Sequence, residues 1–438
     1  MPMKLRPPAA VLCALILGAP ILAPAALGAP GRDAPAQTRA GEIAAEREVK
    51  ARALRPETVS RIEDIALQFK ERKVLERLAA GYNGLRFQMG GLATGSGFAA
   101  GPRFSRRDLA DGRLRVEASA SLSTHLWQKY QASVAAPRLA GGRLVVEAEA
   151  IRRDYRALEF YGLGARASRG DRTAYRLRDT SLELRAGWRP ARRFRLGGSL
   201  GALWPDIGPG EGDDIGGGED IRSIEEVFGE ASAPGLDRQP DYFLSSVFGQ
   251  FDYRDDPEGP KAGGNYVTEY TWHRDRSLGA YGFGRWDVDV QQYLPFFNRS
   301  RRFALRARAT LTNPGDGQRV PFYLQPSLGG SDDLRGFRPY RFTGPNAIVY
   351  NAEYRWEIFS GLDGALFFDA GKTMPSWGHW GLSGLRTSGG IGFRFNARNR
   401  TFTRIDIGVS EEGAVVWLKF NDAFLPRLFG AGTRQPLY

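Results

Sequence analysis

The sequence predicts an all-β protein: a sixteen-stranded antiparallel transmembrane β-barrel with a short N-terminal helical segment. Three observations carry this. The chain opens on an export signal; from Leu85 onward apolar and polar residues alternate with period two; and Phe, Tyr and Trp number 26, 16 and 9, enough for the aromatic girdles of such a barrel. Only helices and closed barrels satisfy the backbone in lipid, and the region after the signal has no apolar run near the ~20 residues a spanning helix needs.

The signal occupies residues 1–29. Lys4 and Arg6 form its charged start, Ala9–Leu22 its apolar middle and Ala23–Ala29 its small-residue end, with cleavage expected after Gly28 or Ala29. The one cysteine, Cys13, lies inside it behind Leu12, where lipid attachment would want a small residue. Removal of the signal leaves no cysteine, which excludes disulfides and thiol catalysis.

Residues 30–83 read as a flexible and helical periplasmic segment. Positions 30–56 are rich in Ala, Arg and Glu. Pro56-Glu57-Thr58 then opens a helical pattern of Ile62, Ile65, Ala66, Phe69, Val74, Leu75 and Leu78, stopped near Gly81. Its apolar stripe needs a partner, and the helix is expected to be accessory to folding of the barrel.

Residues 84–438 read as the barrel and a C-terminal tail. Along 266–273, Tyr266, Thr268, Tyr270 and Trp272 share one face, and Val267, Glu269, Thr271 and His273 the other. In 303–312, Leu305, Ala307, Ala309 and Leu311 oppose Arg306, Arg308 and Thr310. A soluble sandwich alternates too; the export signal, the strand length and the aromatic residues favour a membrane barrel. Sixteen strand cores fit, at 85–93, 96–105, 113–124, 126–136, 143–153, 173–187, 193–203, 242–253, 265–274, 281–293, 302–312, 346–358, 362–371, 386–396, 402–410 and 414–421. Parity supports the count. The long connections 154–172, 204–241 and 313–345 all follow odd strands, and those after even strands are short, as expected for a periplasmic N-terminus.

Gly329-Gly330-Ser331-Asp332-Asp333-Leu334-Arg335-Gly336-Phe337 sits in the last of these long connections. Downstream, Phe367-Phe368-Asp369-Ala370-Gly371 forms an F-x-D-x-G strand. In this order near the end of an alternating chain, the two resemble the BamA/TamA-like outer-membrane assembly barrels, the bacterial surface antigen family. Phe160-Tyr161-Gly162-Leu163-Gly164 resembles that family's early external loop. Asp252 to Gly263 resembles its D-x-R-D turn, and Arg386-x-Ser388-x-Gly390-x-Gly392 its strand-fourteen pattern. The family carries POTRA domains ahead of the barrel. No strand signal precedes Leu85, so none is expected within this sequence. The tail running on to Tyr438 also departs from the pattern.

The resemblance implies insertion or translocation of proteins, or of lipid, at the bacterial outer membrane. It implies outer-membrane lipids, unfolded outer-membrane or secreted client proteins, and periplasmic accessory proteins as partners. The alternative is a passive or gated channel without assembly activity. The resemblance further implies that Arg335 tucks into the lumen and pairs with Asp369. Alternation agrees, aiming Asp369 inward with Phe367 and Gly371 while Leu366, Phe368 and Ala370 face lipid. Glu353, on the neighbouring strand, is a second acceptor for the arginine fork. Gly336 and Gly371 leave room for loop backbone against the wall.

No enzyme and no cofactor are expected. His125, His273 and His379 are scattered without metal spacing, and no G-x-S-x-G elbow occurs. The net charge of +12 invites a nucleic-acid reading, but the arginines form no recognisable module, and none is expected. Arginines instead gather at the short turns: Arg106 and Arg107, Arg192 and Arg193, Arg301 and Arg302. These are expected to meet anionic lipid heads. The 204–241 connection carries Asp213, Asp214, Glu219, Asp220, Glu225, Glu226 and Glu230, and is expected to be surface-exposed and mobile.

Overall fold

A computed structural model describes residues 83–424, apart from 94, 165–166, 211–220, 258, 298–299, 398–399, 421 and 423. The expected signal peptide, the helical pattern over 56–80 and the acidic stretch from Asp213 to Asp220 lie outside the described residues.

Sixteen antiparallel strands make one continuous sheet, each paired with its neighbours in sequence. They are β1 Leu85–Gly90, β2 Ala99–Leu109, β3 Leu114–Ser123, β4 Gln128–Leu139, β5 Leu144–Phe160, β6 Thr173–Ala191, β7 Phe194–Pro209 and β8 Tyr242–Asp252. The second half comprises β9 Gly263–Asp275, β10 Phe283–Phe296, β11 Arg301–Pro314, β12 Asn346–Phe359, β13 Leu362–Met374, β14 Arg386–Ala397, β15 Arg400–Ser410 and β16 Gly413–Lys419. All sixteen predicted strands are present. The alternation that predicts them also sets which way each side chain points. Glu269, Asp287, Asp289, Arg306 and Asp369 are buried, whereas Leu200, Trp272, Phe303, Leu366 and Phe368 are exposed on the outer wall. A polar interior inside an apolar band is the pattern of a membrane barrel.

The inner face is laced with ion pairs. Arg306 meets Asp289 at 2.5 Å, Arg285 meets Asp287 at 2.7 Å, and Arg153 pairs with Asp179. Each satisfies charges that lumen burial would otherwise leave costly.

β5, β6 and β7 run beyond their predicted cores, to Phe160, Ala191 and Pro209. At the top of β5 the period-two pattern vanishes, because Ala157, Leu158, Glu159 and Phe160 are all buried. The cause is a cap. Ile221, Ile224, Ala233 and Leu236 of the 210–241 connection fold back onto Trp127, Tyr155, Phe160 and Tyr175, and Phe322 of the next long loop joins them. The expectation of a mobile 204–241 connection is therefore wrong for residues 221–241. Its average composition is acidic and Gly-rich, but these four apolar residues are enough to anchor it.

β1 and β16 are the ends of the sheet. Among the described residues no ladder joins them, and they are six and seven residues long, the shortest in the wall. Phe98, just ahead of β2, meets Phe420, just past β16, edge to face with ring centroids 6.4 Å apart. The seam is thus bridged by an aromatic contact rather than by paired backbone.

Candidate functional site

The 315–345 loop folds inward as a hairpin with a small core of its own. Ser327–Leu328 pairs with Phe342–Thr343, Gly329 and Gly330 take positive φ of 114° and 95°, and Phe337 N–H donates to the Leu334 carbonyl at 3.0 Å. Leu328, Leu334, Phe337 and Phe342 pack with Ala347 and Val349 of β12. Phe337 and Phe342 meet edge to face at 5.2 Å. These apolar contacts present Arg335 to the wall; it is 1 % exposed and so is not a solvated loop tip.

Arg335 is held from every side. Its Nε donates to Asp369 Oδ2 at 2.9 Å and its Nη2 to Oδ1 at 2.7 Å, a two-point fork, while its backbone N–H adds a third bond at 3.2 Å. Its Nη1 donates to Glu353. Its guanidinium lies over the Phe367 ring, 3.6 Å from the centroid. Asn351 steadies Asp369, donating to Oδ1 at 2.8 Å and to the Asp333 carbonyl at 2.7 Å. Burial opposes the charge on Arg335, but Asp369 and Glu353 outweigh it and raise its pKa, so it stays a cation.

The loop backbone is gripped as well. Trp417 Nε1 of β16 donates to the Arg335 carbonyl at 2.7 Å, and Ser410 Oγ at the end of β15 donates to the Gly336 carbonyl at 2.7 Å. Two glycines permit this approach. A Cβ on Gly336 would sit 2.7 Å from Ser388 Cβ and from the Val409 carbonyl carbon, and one on Gly408 would collide with the Arg335 carbonyl.

Behind Glu353 and Asp369 lies a wider network. Glu353 accepts from Arg355 Nε at 2.6 Å and from Arg394 Nη2 at 3.0 Å. Arg394 and Arg404 stand opposite each other on β14 and β15, a like-charge pairing that is unfavourable by itself. Asp406 resolves it, taking Arg394 Nη1 and Arg404 Nη1 at 2.5 Å each. Arg404 also donates to Asp332 of the loop at 2.6 Å, and Arg308 of β11 to Asp333 at 2.5 Å. The lock therefore joins one loop to strands β11 through β16, including the edge strand.

The strand-fourteen pattern acquires a physical reason here. Ser388 Oγ lies 3.5 Å from Asp369 Oδ2, at the limit of a hydrogen bond. A side chain on Gly390 would strike the Phe367 ring that floors Arg335, and one on Gly392 would strike Asp406 and Arg394. Arg386, at the long-loop end, meets Glu411 at 2.5 Å and lies over Phe342 at 5.4 Å. Gly371 admits Leu328, whose Cδ1 would be 3.3 Å from an added Cβ. Sequence reasoning missed Arg394, Arg404 and Asp406, although alternation points each of them inward between exposed Phe393 and Phe395 or beside exposed Ile407. Among the described residues no cluster of His, Cys, Asp and Glu is arranged to hold a metal.

The turn arginines do not behave as one ring. Arg107, Arg192, Arg193 and Arg301 are exposed, and Arg301 lies over Phe297 at 5.2 Å. Arg106 is committed to Asp108 at 2.8 and 2.9 Å. Arg302 does not meet lipid heads. It is 6 % exposed and donates to Asp363 at 2.7 Å inside the barrel, because the second position of β11 points inward. His125 likewise belongs to the β3–β4 turn, on the Gly95 carbonyl, rather than to a strand face.

Above the lock the long loops are tied together. Gly164 N–H donates to the Thr343 carbonyl at 2.6 Å, and Arg341 lies over Tyr161 at 4.9 Å while bonding Glu412 at 2.8 Å. Glu230 gathers three connections: it accepts from Gly235 N–H at 2.8 Å, Tyr281 Oη at 2.5 Å and Arg319 Nη2 at 3.0 Å. Partial burial works against its charge, but these donors prevail and lower its pKa. The stabilisation it gives is present above the usual glutamate range and is lost as pH falls through the lowered value. Glu230→Gln is expected to speed protease nicking of the 221–241 segment at pH 7. The difference from wild type should fade in acid, and a constant difference down to pH 3 would contradict it.

Residues 221–409 match the Omp85 superfamily domain. That match covers a little under half of the chain. It spans β8 to β15 and contains Arg335, Glu353, Asp369, Arg394, Arg404 and Asp406. Among solved structures the fold is similar to that of BamA from Haemophilus ducreyi lacking POTRA domains 1–3, at 14% identity and a TM-score of 0.56, covering 77% of this chain and 69% of that one. It is also similar to CdiB from Escherichia coli, at 15% identity and a TM-score of 0.53, covering 77% of this chain and 62% of that one. The chain thus spans less than two thirds of the CdiB length. No curated protein sequence matches the chain.

Proposed function

We propose that this Omp85 barrel works in the bacterial outer membrane, inserting or translocating protein segments at the seam between β1 and β16. The observation that carries the reading is the unclosed seam beside the lock. An edge strand offers unpaired N–H and C=O groups, a template on which an extended client segment can add as a further strand. Full closure would remove those edges, and a plain pore has no use for them. The lock touches β16 itself, through Trp417 on the Arg335 carbonyl. Movement of the 315–345 loop would therefore be felt at the edge. The capped and loop-filled lumen disfavours a permanently open channel. The clients would be unfolded outer-membrane or secreted proteins, with outer-membrane lipids around the wall and periplasmic accessory proteins delivering the clients.

The test uses the absence of cysteine after the signal. Phe98→Cys and Phe420→Cys, joined by a short thiol-to-thiol linker, would fix the seam shut. The proposal expects the linked protein in vesicles to stop promoting insertion of an unfolded client barrel, with each single-cysteine protein still active. Equal insertion by linked and unlinked protein would remove the seam from the mechanism. A passive channel would show steady conductance in both forms and no effect on clients.

A further inference from the structure

We propose that the lumen holds a second binding site, a receptor for a peptide segment with a carboxylate and, two residues on, an aromatic ring, and that the chain's own Asp422 and Phe424 occupy it. The site lies at the end of the barrel opposite the long loops.

β16 ends at Lys419, and the chain then turns into the barrel instead of leaving it. Phe424 is 2 % exposed and packs with Tyr293 of β10 and Ala304 of β11. Phe424 is five positions on from Lys419, a reach of at most about 18 Å. The tail must therefore cut across the lumen beneath the intervening strands. The carboxylate of Asp422 accepts two parallel bonds from Arg355, Nη1 to Oδ2 at 2.8 Å and Nη2 to Oδ1 at 3.0 Å. Thr401 Oγ1 adds a bond at 3.3 Å and the Phe424 N–H one at 2.8 Å. The Arg355 guanidinium also lies over the Phe424 ring, 5.2 Å from its centroid. Burial opposes ionisation of Asp422, but Arg355 outweighs it and holds the carboxyl well below the usual carboxylate range.

Arg355, Thr401, Tyr293 and Ala304 all stand on the wall strands, so the receptor half is built by the barrel and the ligand half by the tail. Asp422 and Phe424 belong to no strand and lie beyond the match to the Omp85 domain, which ends at 409. Without an anion, the two Nη groups of a fully buried arginine would face the lumen with nothing to hold. A fork plus a ring socket suits an acid-x-aromatic segment, and segments of other chains with that pattern are the ligands that would displace the tail. Displacement would reach the loop, because Arg355 Nε also donates to Glu353 Oε2 at 2.6 Å, and Glu353 holds Arg335.

The test is direct binding, with no assembly assay in it. The protein is ended after Phe420, and folding is checked by its heat-modifiable gel mobility. A labelled peptide of residues 421–426, Asn-Asp-Ala-Phe-Leu-Pro, is titrated onto it in detergent. The truncated barrel is expected to bind and the full chain to bind about tenfold more weakly or worse; peptides with Asn for the acid or Ala for Phe should each lose about tenfold. A folded truncated barrel that ignores the peptide, or that binds the altered peptides equally, would overturn the proposal. Should truncation prevent folding, amide hydrogen exchange over 420–424 replaces it. Asp422→Asn and Phe424→Ala in the full chain must each speed exchange several-fold, and unchanged exchange in both would overturn it.

Discussion

Arg335→Ala is expected to release the 315–345 loop while the barrel still forms. The substitution leaves Asp369 without its fork and Glu353 without one of its donors. Removing one partner of a buried, hydrogen-bonded ion pair costs about 3–5 kcal/mol. At about 1.4 kcal/mol per tenfold, the loop-out population would rise by roughly two to three orders of magnitude. Cells should leak bulky antibiotics, and the client insertion proposed above should fall, while heat-modifiable mobility stays intact. Arg335→Lys should rescue only in part, since one ammonium cannot present a planar fork to Asp369 and a third nitrogen to Glu353 together. Asp369→Ala should resemble Arg335→Ala, and the double variant should cost far less than the sum. Strict additivity would mean that the two do not act as a pair.

Gly408→Val should reach the same end with every charge left in place. The added Cβ would come within 2.3 Å of the Arg335 carbonyl oxygen, and backbone cannot yield as a flexible side chain can. Valine suits a strand, so β15 itself should persist. The expected result is rapid tryptic cleavage after Arg335, Arg338 or Arg341 in folded protein, where wild type resists. A protected loop in Gly408→Val would show that the close approach is not needed for seating.

The strands were legible because a membrane barrel imposes period two on nearly every wall residue. Trp272 and Phe368 point to lipid and Glu269 and Asp369 to the lumen for the same reason. Legibility failed where a third layer covers the wall. Beside Ala157–Phe160 the alternation is lost, and in 221–241 a few apolar residues among acids decide the packing. Arg302 shows the cost of assigning a turn by composition: one step along the chain moves a side chain from solvent into the barrel. The Arg335–Asp369 pairing came from a resemblance plus the phase of one strand. The extended network did not, although Arg404 and Asp406 obey the same phase and required only that it be applied to β15. The inward tail left no periodic trace, since five residues are too few to show one.

The 315–345 loop sits inside the barrel, fastened by Arg335. The maleimide reaction of Leu334→Cys measures this most directly. Leu334 is fully buried in the hairpin core beside the lock, and the sequence has one other cysteine, Cys13, to be replaced by Ser for this test. Folded protein is expected to label slowly, and about a hundredfold faster or more when Arg335→Ala or Asp369→Ala is added. Equally fast labelling of Leu334→Cys with and without those substitutions would contradict it.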